Sequence, residues 1–350
     1  MVESSVNCLI PLSVRGFTFY IKKSKSACEI KIIAYLCSGN GKEMKTGLVL
    51  EGGAMRGLFS VGVMDVLMEA GVEFDGIVGV SAGAAFGCNY KSRQAGRALR
   101  YNQRFARDRR FCSLWSLLTT GDLFNAKFAY HIVPKTYDIF DNETFEKNST
   151  AFYVVCTDLN TGEAVYKQLT KGGDEAYDWI RASASMPLCS RPVELGGHVL
   201  LDGGIADSIP LKFFQEAGYE RNVVVLTQPE GYVKRPNKFV PAMRLSGLRK
   251  YPRFIEAAAR RHEMYNAQTE YVREAELQGH TIVIRPESAL PIGHISHDPA
   301  EMQRVYDMGR AVAERRIKEI KNGLSPLPLP EGRGVVSIRL GVSPQIRENI

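Results

Sequence analysis

Gly79-Val80-Ser81-Ala82-Gly83 directly follows the apolar pair Ile77-Val78, and the small residues Ala84, Ala85 and Gly87 come after it. A serine on a tight turn between strand and helix projects its Oγ. Glycines two residues to either side permit the strained backbone and leave no Cβ to clash with neighbouring elements. The chemistry this spacing suits is nucleophilic attack by Ser81. The competing reading is a glycine-rich turn in which Ser81 merely caps a helix.

A nucleophile of this kind needs somewhere to put the charge it creates. Thr46-Gly47-Leu48-Val49-Leu50 is a short apolar strand that runs through Glu51 into Gly52-Gly53-Ala54-Met55-Arg56-Gly57. Beyond it, Leu58, Val61, Met64, Leu67 and Met68 recur at the spacing of one helical face. The glycines therefore fall at a helix N-terminus, where free backbone N–H groups and the helix dipole can meet an anion such as a tetrahedral oxyanion. A dinucleotide loop would need glycine where Ala54 stands, and a P-loop would need Gly-Lys-Ser/Thr at its end, so neither pattern is intact. Arg56 puts a cation in the first turn, against the dipole. It either orients the loop or faces an anionic substrate, unless it is simply exposed.

The third segment is Leu200-Leu201-Asp202-Gly203-Gly204. Val199 to Leu201 reads as a strand end, and the paired glycines bring backbone close to whatever lies beside Asp202. A free aspartate, with a pKa near ~3.9, is a weak base. It becomes effective in a dry site with a hydrogen bond to the hydroxyl it deprotonates. Taken alone, Asp-Gly-Gly also suits a hairpin turn.

In this order and at these separations, the three elements resemble the patatin-like phospholipase family, and in particular its bacterial serine hydrolases. That family pairs a Gly-x-Ser-x-Gly serine with an Asp-Gly-Gly/Ala aspartate behind a Gly-x-Gly-x-[Arg/Lys]-Gly loop. Ala54 stands where the family usually has glycine. Arg181-Ala182-Ser183-Ala184-Ser185-Met186-Pro187 resembles the serine-and-proline stretch that the family places ahead of its aspartate, and the likeness runs roughly from Met44 to Ile320.

The resemblance implies a three-layer α/β/α fold on a central, mostly parallel sheet, and a phospholipid or other acyl ester as substrate. It implies Ser81 as nucleophile, Asp202 as proton acceptor and the N–H groups of Gly52, Gly53 and Ala54 as oxyanion hole. Arg56, Gly57, Gly79, Gly83, Gly203 and Gly204 complete the motifs, and neither metal nor cofactor is expected. The reaction would be ester hydrolysis through an acyl-enzyme. A transacylase would use the same residues, and a catalytically silent lipid-binding or interaction protein is the rival from another class.

A Ser-His-Asp triad also has candidates, because His262, His280, His294 and His297 follow Asp202. Against it, only one strand and one helix separate Gly53 from Ser81, whereas that fold usually places several strands before its serine. None of the histidines lies in a segment that reads as a catalytic turn. His294-Ile295-Ser296-His297 is a weak metal pair without a third ligand beside it.

The 350 residues are 45% hydrophobic, enough for one principal domain with a substantial core. Alternating apolar strands and amphipathic stretches imply a parallel or mixed α/β sheet. Further strands are expected at 152–157, 198–201, 222–226 and 281–284, with a hairpin-type turn at Asn160-Thr161-Gly162. Residues 1–43 read as an N-terminal extension, with Met44 the working start of a 44–323 hydrolase domain. The proline-rich run at 325–330 opens a tail that makes up 324–350.

Seven cysteines without a C-x-x-C pair suit reduced thiols in a cytoplasmic protein. No apolar run reaches the ~20 residues that span a bilayer, so a soluble protein, or one peripheral to the inner membrane face, is expected. The formal charge is +7. Basic residues gather at Arg93, Arg97, Arg100, Arg104, Arg107, Arg109 and Arg110, and again at Arg244, Arg249, Lys250, Arg253, Arg260 and Arg261. Anionic phospholipid would suit such a surface, as would ordinary solvated helix faces. No nucleic-acid-binding motif accompanies the charge.

Overall fold

The computed structural model describes residues 44–324 and, before them, the backbone of three strands, β1 (Leu9–Val14), β2 (Phe17–Lys23) and β3 (Ile30–Ser38). The chain divides into two compact units, 1–43 with 325–350 and 44–324. In the first, β1, β2 and β3 pair antiparallel in that order. Reading 1–43 as an N-terminal extension predicts no sheet there.

The second unit is a mixed, mostly parallel sheet between two helical layers. Its strands are β4 (Lys45–Leu50), β5 (Gly76–Val80), β6 (Ala151–Asp158), β7 (Ala164–Leu169), β8 (Val193–Leu195), β9 (His198–Asp202), β10 (Tyr219–Val225) and β11 (Thr281–Ile284). The order is β11-β10-β4-β5-β6-β9-β8, with β7 also paired to β6. From β11 to β6 every pairing is parallel, while β7, β9 and β8 join antiparallel.

Strand side chains alternate between the two faces. Leu48, Leu50, Ile77, Phe152 and Val154 join a core with α1 (Gly57–Glu69), α2 (Ala82–Lys91), α6 (Asp174–Ser183) and α10 (Pro299–Leu324). Val49, Val78, Val80, Val155 and Val224 face α7 (Leu211–Glu216) and α9 (Pro252–Leu277) on the other side. Between α2 and α6 lie α3 (Arg97–Arg104), α4 (Leu114–Thr120), a π-type helix at Phe128–Tyr137 and α5 (Asn142–Lys147); α8 (Val240–Leu245) precedes α9.

The spacing in α1 predicts one buried face, yet every residue from Gly57 to Leu67 is buried. The outer face of α1 is covered by α10, and the two backbones nearly touch. A Cβ on Gly62 would lie 2.0 Å from the Tyr306 carbonyl oxygen, and one on Gly309 would lie 2.0 Å from that of Phe59. Tyr306 also donates a 2.8 Å hydrogen bond to Asp65 across this contact.

One feature of the pairing sets up the site. β5 occupies an edge of β6 from Ala151 to Val155, and β9 takes over from Cys156 to Asp158 while β7 fills the opposite edge. Because β9 runs antiparallel to β6, the C-terminal ends of β5 and β9 meet. Ser81 follows Val80 at one end, and Asp202 pairs with Cys156 at the other.

Candidate active site

Ser81 sits between β5 and α2 with φ 54° and ψ −119°. A non-glycine residue in this region carries strain of about 1–3 kcal/mol, held in place by its surroundings. The crossing is possible only because two side chains are missing. A Cβ on Gly79 would stand 2.4 Å from the Gly83 carbonyl oxygen, and one on Gly83 would stand 2.4 Å from that of Leu50. The Ser81 N–H donates to Ser183 Oγ at 2.9 Å, and Ser183 Oγ donates to the Val155 carbonyl at 2.6 Å. The elbow is thereby tied to β6.

Asp202 is buried at the end of β9. Its carboxylate accepts a 2.8 Å hydrogen bond from the Gly204 N–H and lies close enough to the Ser81 side chain for that hydroxyl to favour its charged form. The Asp202 N–H donates to the Ser185 carbonyl at 2.8 Å. The Ser183–Ser185 stretch therefore fastens both Ser81 and Asp202. The sequence shows these serines as a motif but assigns them no task, because their partners lie 102 and 17 residues away. Gly203 and Gly204 form a 3₁₀ turn rather than a hairpin, and a Cβ on Gly203 would lie 2.1 Å from the Val155 carbonyl oxygen.

Burial raises the Asp202 pKa above the ordinary carboxylate value. Arg261, the Ser81 hydroxyl and the Gly204 N–H pull against it without reversing the shift. A carboxylate so placed is a stronger base than one in water.

The histidines are occupied elsewhere. His131 meets Asp174 and Asp178, His198 meets Asp158, His262 faces the Ala259 carbonyl, and His297 faces that of Ala106. His280 is exposed, and His294 Nε2 lies 3.4 Å from Arg56 Nη1. Among the described residues, no histidine bonds to Ser81 or Asp202.

The loop after β4 lies against the elbow. A Cβ on Gly52 would stand 2.9 Å from both Ser81 Cβ and the Val80 carbonyl oxygen. Gly53 backs onto Thr227 and Gly57 onto Ala82. Among the described residues, the N–H groups of Gly52, Gly53 and Ala54 meet no acceptor. Such donors beside a serine Oγ are available to a developing oxyanion. Ala54 adopts φ 48°, the left-handed conformation that favours glycine. Arg56 is half-buried beside His294, with its Nε buried and unpartnered.

Behind Ser81 opens a cavity of about 110 Å³ whose walls are mostly apolar. Ala85, Phe86, Phe124, Tyr130, Ile180 and Met186 are among its lining residues. Its far wall comes from residues 97–140 and from the segment after α6, so it has no single sequence signature.

The two basic clusters differ. In the first, Arg97 is buried and bonds to Asn89 and Asp138, while Arg93, Arg100 and Arg110 pair with Glu73, Asp138 and Asp108. Much of this charge is neutralised by neighbouring carboxylates rather than presented as a cationic face. In the second, Arg244, Arg249, Lys250 and Arg253 are exposed and, among the described residues, meet no carboxylate; beside them Phe239 and Leu245 are 67% and 87% exposed. Among the described residues, no helix is long and apolar enough to cross a membrane.

Residues 48–214 match the family described as Patatin-like phospholipase, and residues 251–325 match a domain of unknown function, DUF6363. Over 209 residues the chain is 32% identical to the uncharacterized protein YjjU of Escherichia coli K12, covering 56% of this chain and 55% of that protein. It is 27% identical over 310 residues to Lysophospholipase nte1 of Aspergillus niger, covering 81% of this chain but 19% of that protein. The chain thus spans about half of the first relative and a fifth of the second. VipD from Legionella pneumophila aligns in structure with a TM-score of 0.40 and 12% identity, covering 88% of this chain and 71% of that one. Residues 48–214 thus carry a patatin-like phospholipase domain.

Proposed function

We propose that this protein is a serine lipid acyl hydrolase working through Ser81 and Asp202. The observation that carries the reading is the strained Ser81 beside the buried, more basic Asp202 carboxylate where two strand ends meet, with every histidine bonded elsewhere or exposed. Ser81 Oγ attacks the acyl carbonyl carbon as Asp202 takes its proton. The oxyanion is held by the N–H groups of Gly52, Gly53 and Ala54. Collapse expels the alcohol, which leaves with the proton from Asp202, and the acyl group remains on Ser81. Water then attacks the acyl-enzyme with Asp202 again as base, releasing a carboxylic acid and restoring the serine.

The lysophospholipase named among the relatives supports a phospholipid or lysophospholipid as substrate, and the cavity behind Ser81 suits an acyl chain. Residues 44–323 contain every group in this scheme and would serve as the hydrolase domain. Exposed Arg244, Arg249, Lys250 and Arg253, with Phe239 and Leu245 between and beside them, would contact an anionic lipid surface, consistent with a peripheral place at the inner membrane face. Release of fatty acid from lysophospholipid by the purified protein tests the reading. The expected result is turnover that disappears in Ser81→Ala, and equal release by the two proteins would overturn it.

A further inference from the structure

Ser81 stands at the carboxyl ends of the parallel strands, where the loops after β4, β10 and β11 also emerge. In such sheets that end is the ligand side. These loops carry Arg56, Lys234 and His294, and α9 brings Arg261 to the same place.

Arg56 Nη1 lies 3.4 Å from His294 Nε2, and the Met55 N–H donates to the His294 carbonyl. Lys234 Nζ lies 4.1 Å from the centre of the Tyr265 ring. Arg261 Nε donates to the Gly204 carbonyl. The point where a Gly204 Cβ would lie is 3.0 Å from Arg261 Nη2 and 3.1 Å from Asp202 Oδ1. The charged rim therefore comes near Asp202, whose carboxylate feels the Arg261 charge.

Among the described residues, none of these basic groups forms an ion pair with a carboxylate. Glu51, a buried acid whose charge acts on Lys234, is already held by the Tyr265 hydroxyl at 2.7 Å and by the Thr227 N–H. Lys234 is pushed down to about 8, first by burial and then by Arg261 and Arg56, with Glu51 opposing. His294 is pushed below the ordinary histidine value by partial burial, then by Arg56, Lys234 and Arg261. Arg56 Nε remains buried with no acceptor. Gathering like charges in a partly dry place costs free energy that an arriving anion offsets.

We propose that Arg56, Lys234, Arg261 and His294 form a cup for the phosphate group of the acyl-ester substrate. The cup selects phosphate-bearing lipids over neutral glycerides, with the acyl chain directed into the apolar cavity and the phosphate to the opposite side of Ser81. Planar guanidinium groups and a point-charge ammonium are the side chains that recognise phosphate oxygens. This inference rests on the hydrolase reading of Ser81.

The test has a binding arm that needs no turnover. Glycerol 3-phosphate is titrated calorimetrically into Ser81→Ala protein, with and without Lys234→Met or His294→Asn, beside glycerol and inorganic phosphate as separate ligands. The expected result is binding of glycerol 3-phosphate, none of glycerol, and at least about tenfold weakening by Lys234→Met. Arg261 is left intact because it also holds the Gly204 carbonyl. In the kinetic arm, kcat/KM is measured on lysophosphatidate and on the monoacylglycerol of the same chain. Lys234→Met should lower the ratio of the two by about tenfold or more. No binding of glycerol 3-phosphate, binding indifferent to both substitutions, or equal loss on both substrates would overturn the cup. Tight inorganic phosphate with no preference between the two esters would also overturn it, by showing a site for the free ion. Binding as expected in a protein whose wild type hydrolyses neither ester would sustain the cup and refute the hydrolase reading instead.

Discussion

The two sides of Ser81 are built differently. On one side, α2, α6 and the residues 97–140 close an apolar cavity. On the other, the loops after β4, β10 and β11 gather Arg56, Lys234 and His294 near Arg261 of α9, which in turn acts on Asp202. Between them, Ser81 and Asp202 are fixed by strand ends meeting on one edge of β6. The contrast teaches how one sheet edge can orient an amphipathic ester. The apolar side supplies binding through area removed from water, about 25 cal/mol per Å², and the charged side supplies direction.

The largest expected effect lies at the boundary between the two sides. Asp202→Asn should lower kcat by about a thousandfold or more, because an amide cannot accept the Ser81 proton. His262, His280, His294 and His297 should each tolerate replacement far better on a short nitrophenyl ester. A single histidine replacement as damaging as Asp202→Asn, in a protein shown to be folded, would replace the dyad with a triad. The same aspartate sets the pH dependence. Its pKa is raised in the folded protein, so the acidic limb of activity should fall above the ordinary carboxylate range. Burial thus erodes the pH contrast that an aspartate base would otherwise show against a histidine base. For stability the sign is opposite: a raised folded-state pKa favours folding below the unfolded pKa, and this is lost as pH rises through the folded value. Asp202→Asn should therefore raise Tm at neutral pH while removing activity, and a lower Tm would contradict the desolvation account.

Next in size is the loop that would hold the oxyanion. Gly52→Ala places a Cβ 2.9 Å from Ser81 Cβ and pushes the N–H groups away from the elbow. Loss of about 100-fold in kcat is expected, as for removal of one oxyanion donor. Normal kcat in this variant would show that the loop only turns the chain.

A smaller effect tests the apolar side alone. Ala85→Phe fills part of the cavity and should reduce kcat/KM for a long-chain ester about tenfold more than for a butyrate ester. Equal effects on both would place the acyl chain elsewhere.

The smallest concerns Ala54. Its left-handed backbone costs about 1–2 kcal/mol for a residue with a Cβ. Ala54→Gly relieves that strain but gives back about 0.4–1 kcal/mol through a freer unfolded chain. Stability measured in denaturant should shift by no more than about 1 kcal/mol, and a larger change would mean that the Ala54 methyl packs more tightly than its half-buried position indicates.

This order of effects parallels what could be read from the chain. The residues 79–83, 52–57 and 202–204 carry their geometry in local glycine patterns, and β4, β6, β9, β10 and β11 fall where short apolar runs predict them. Ser183 and Ser185 were visible as a motif, but their hydrogen bonds to Ser81 and Asp202 depend on pairing across β6. Lys234, Arg261 and His294 come from separate segments and look like ordinary basic residues until the sheet brings them together. The full burial of α1 was equally hidden, since the close contact of Gly62 with α10 involves residues about 240 positions later. Conversely, the arginines from Arg93 to Arg110 suggested a charged face, and folding spent several of them on Glu73, Asp108 and Asp138.

The most direct test of the account is covalent capture. A fluorophosphonate should phosphonylate one residue of the folded protein, located by peptide mass spectrometry at Ser81, and Asp202→Asn should slow the labelling sharply. Labelling at another serine, or an unlabelled protein whose fold is intact, would contradict the assignment of Ser81 as nucleophile.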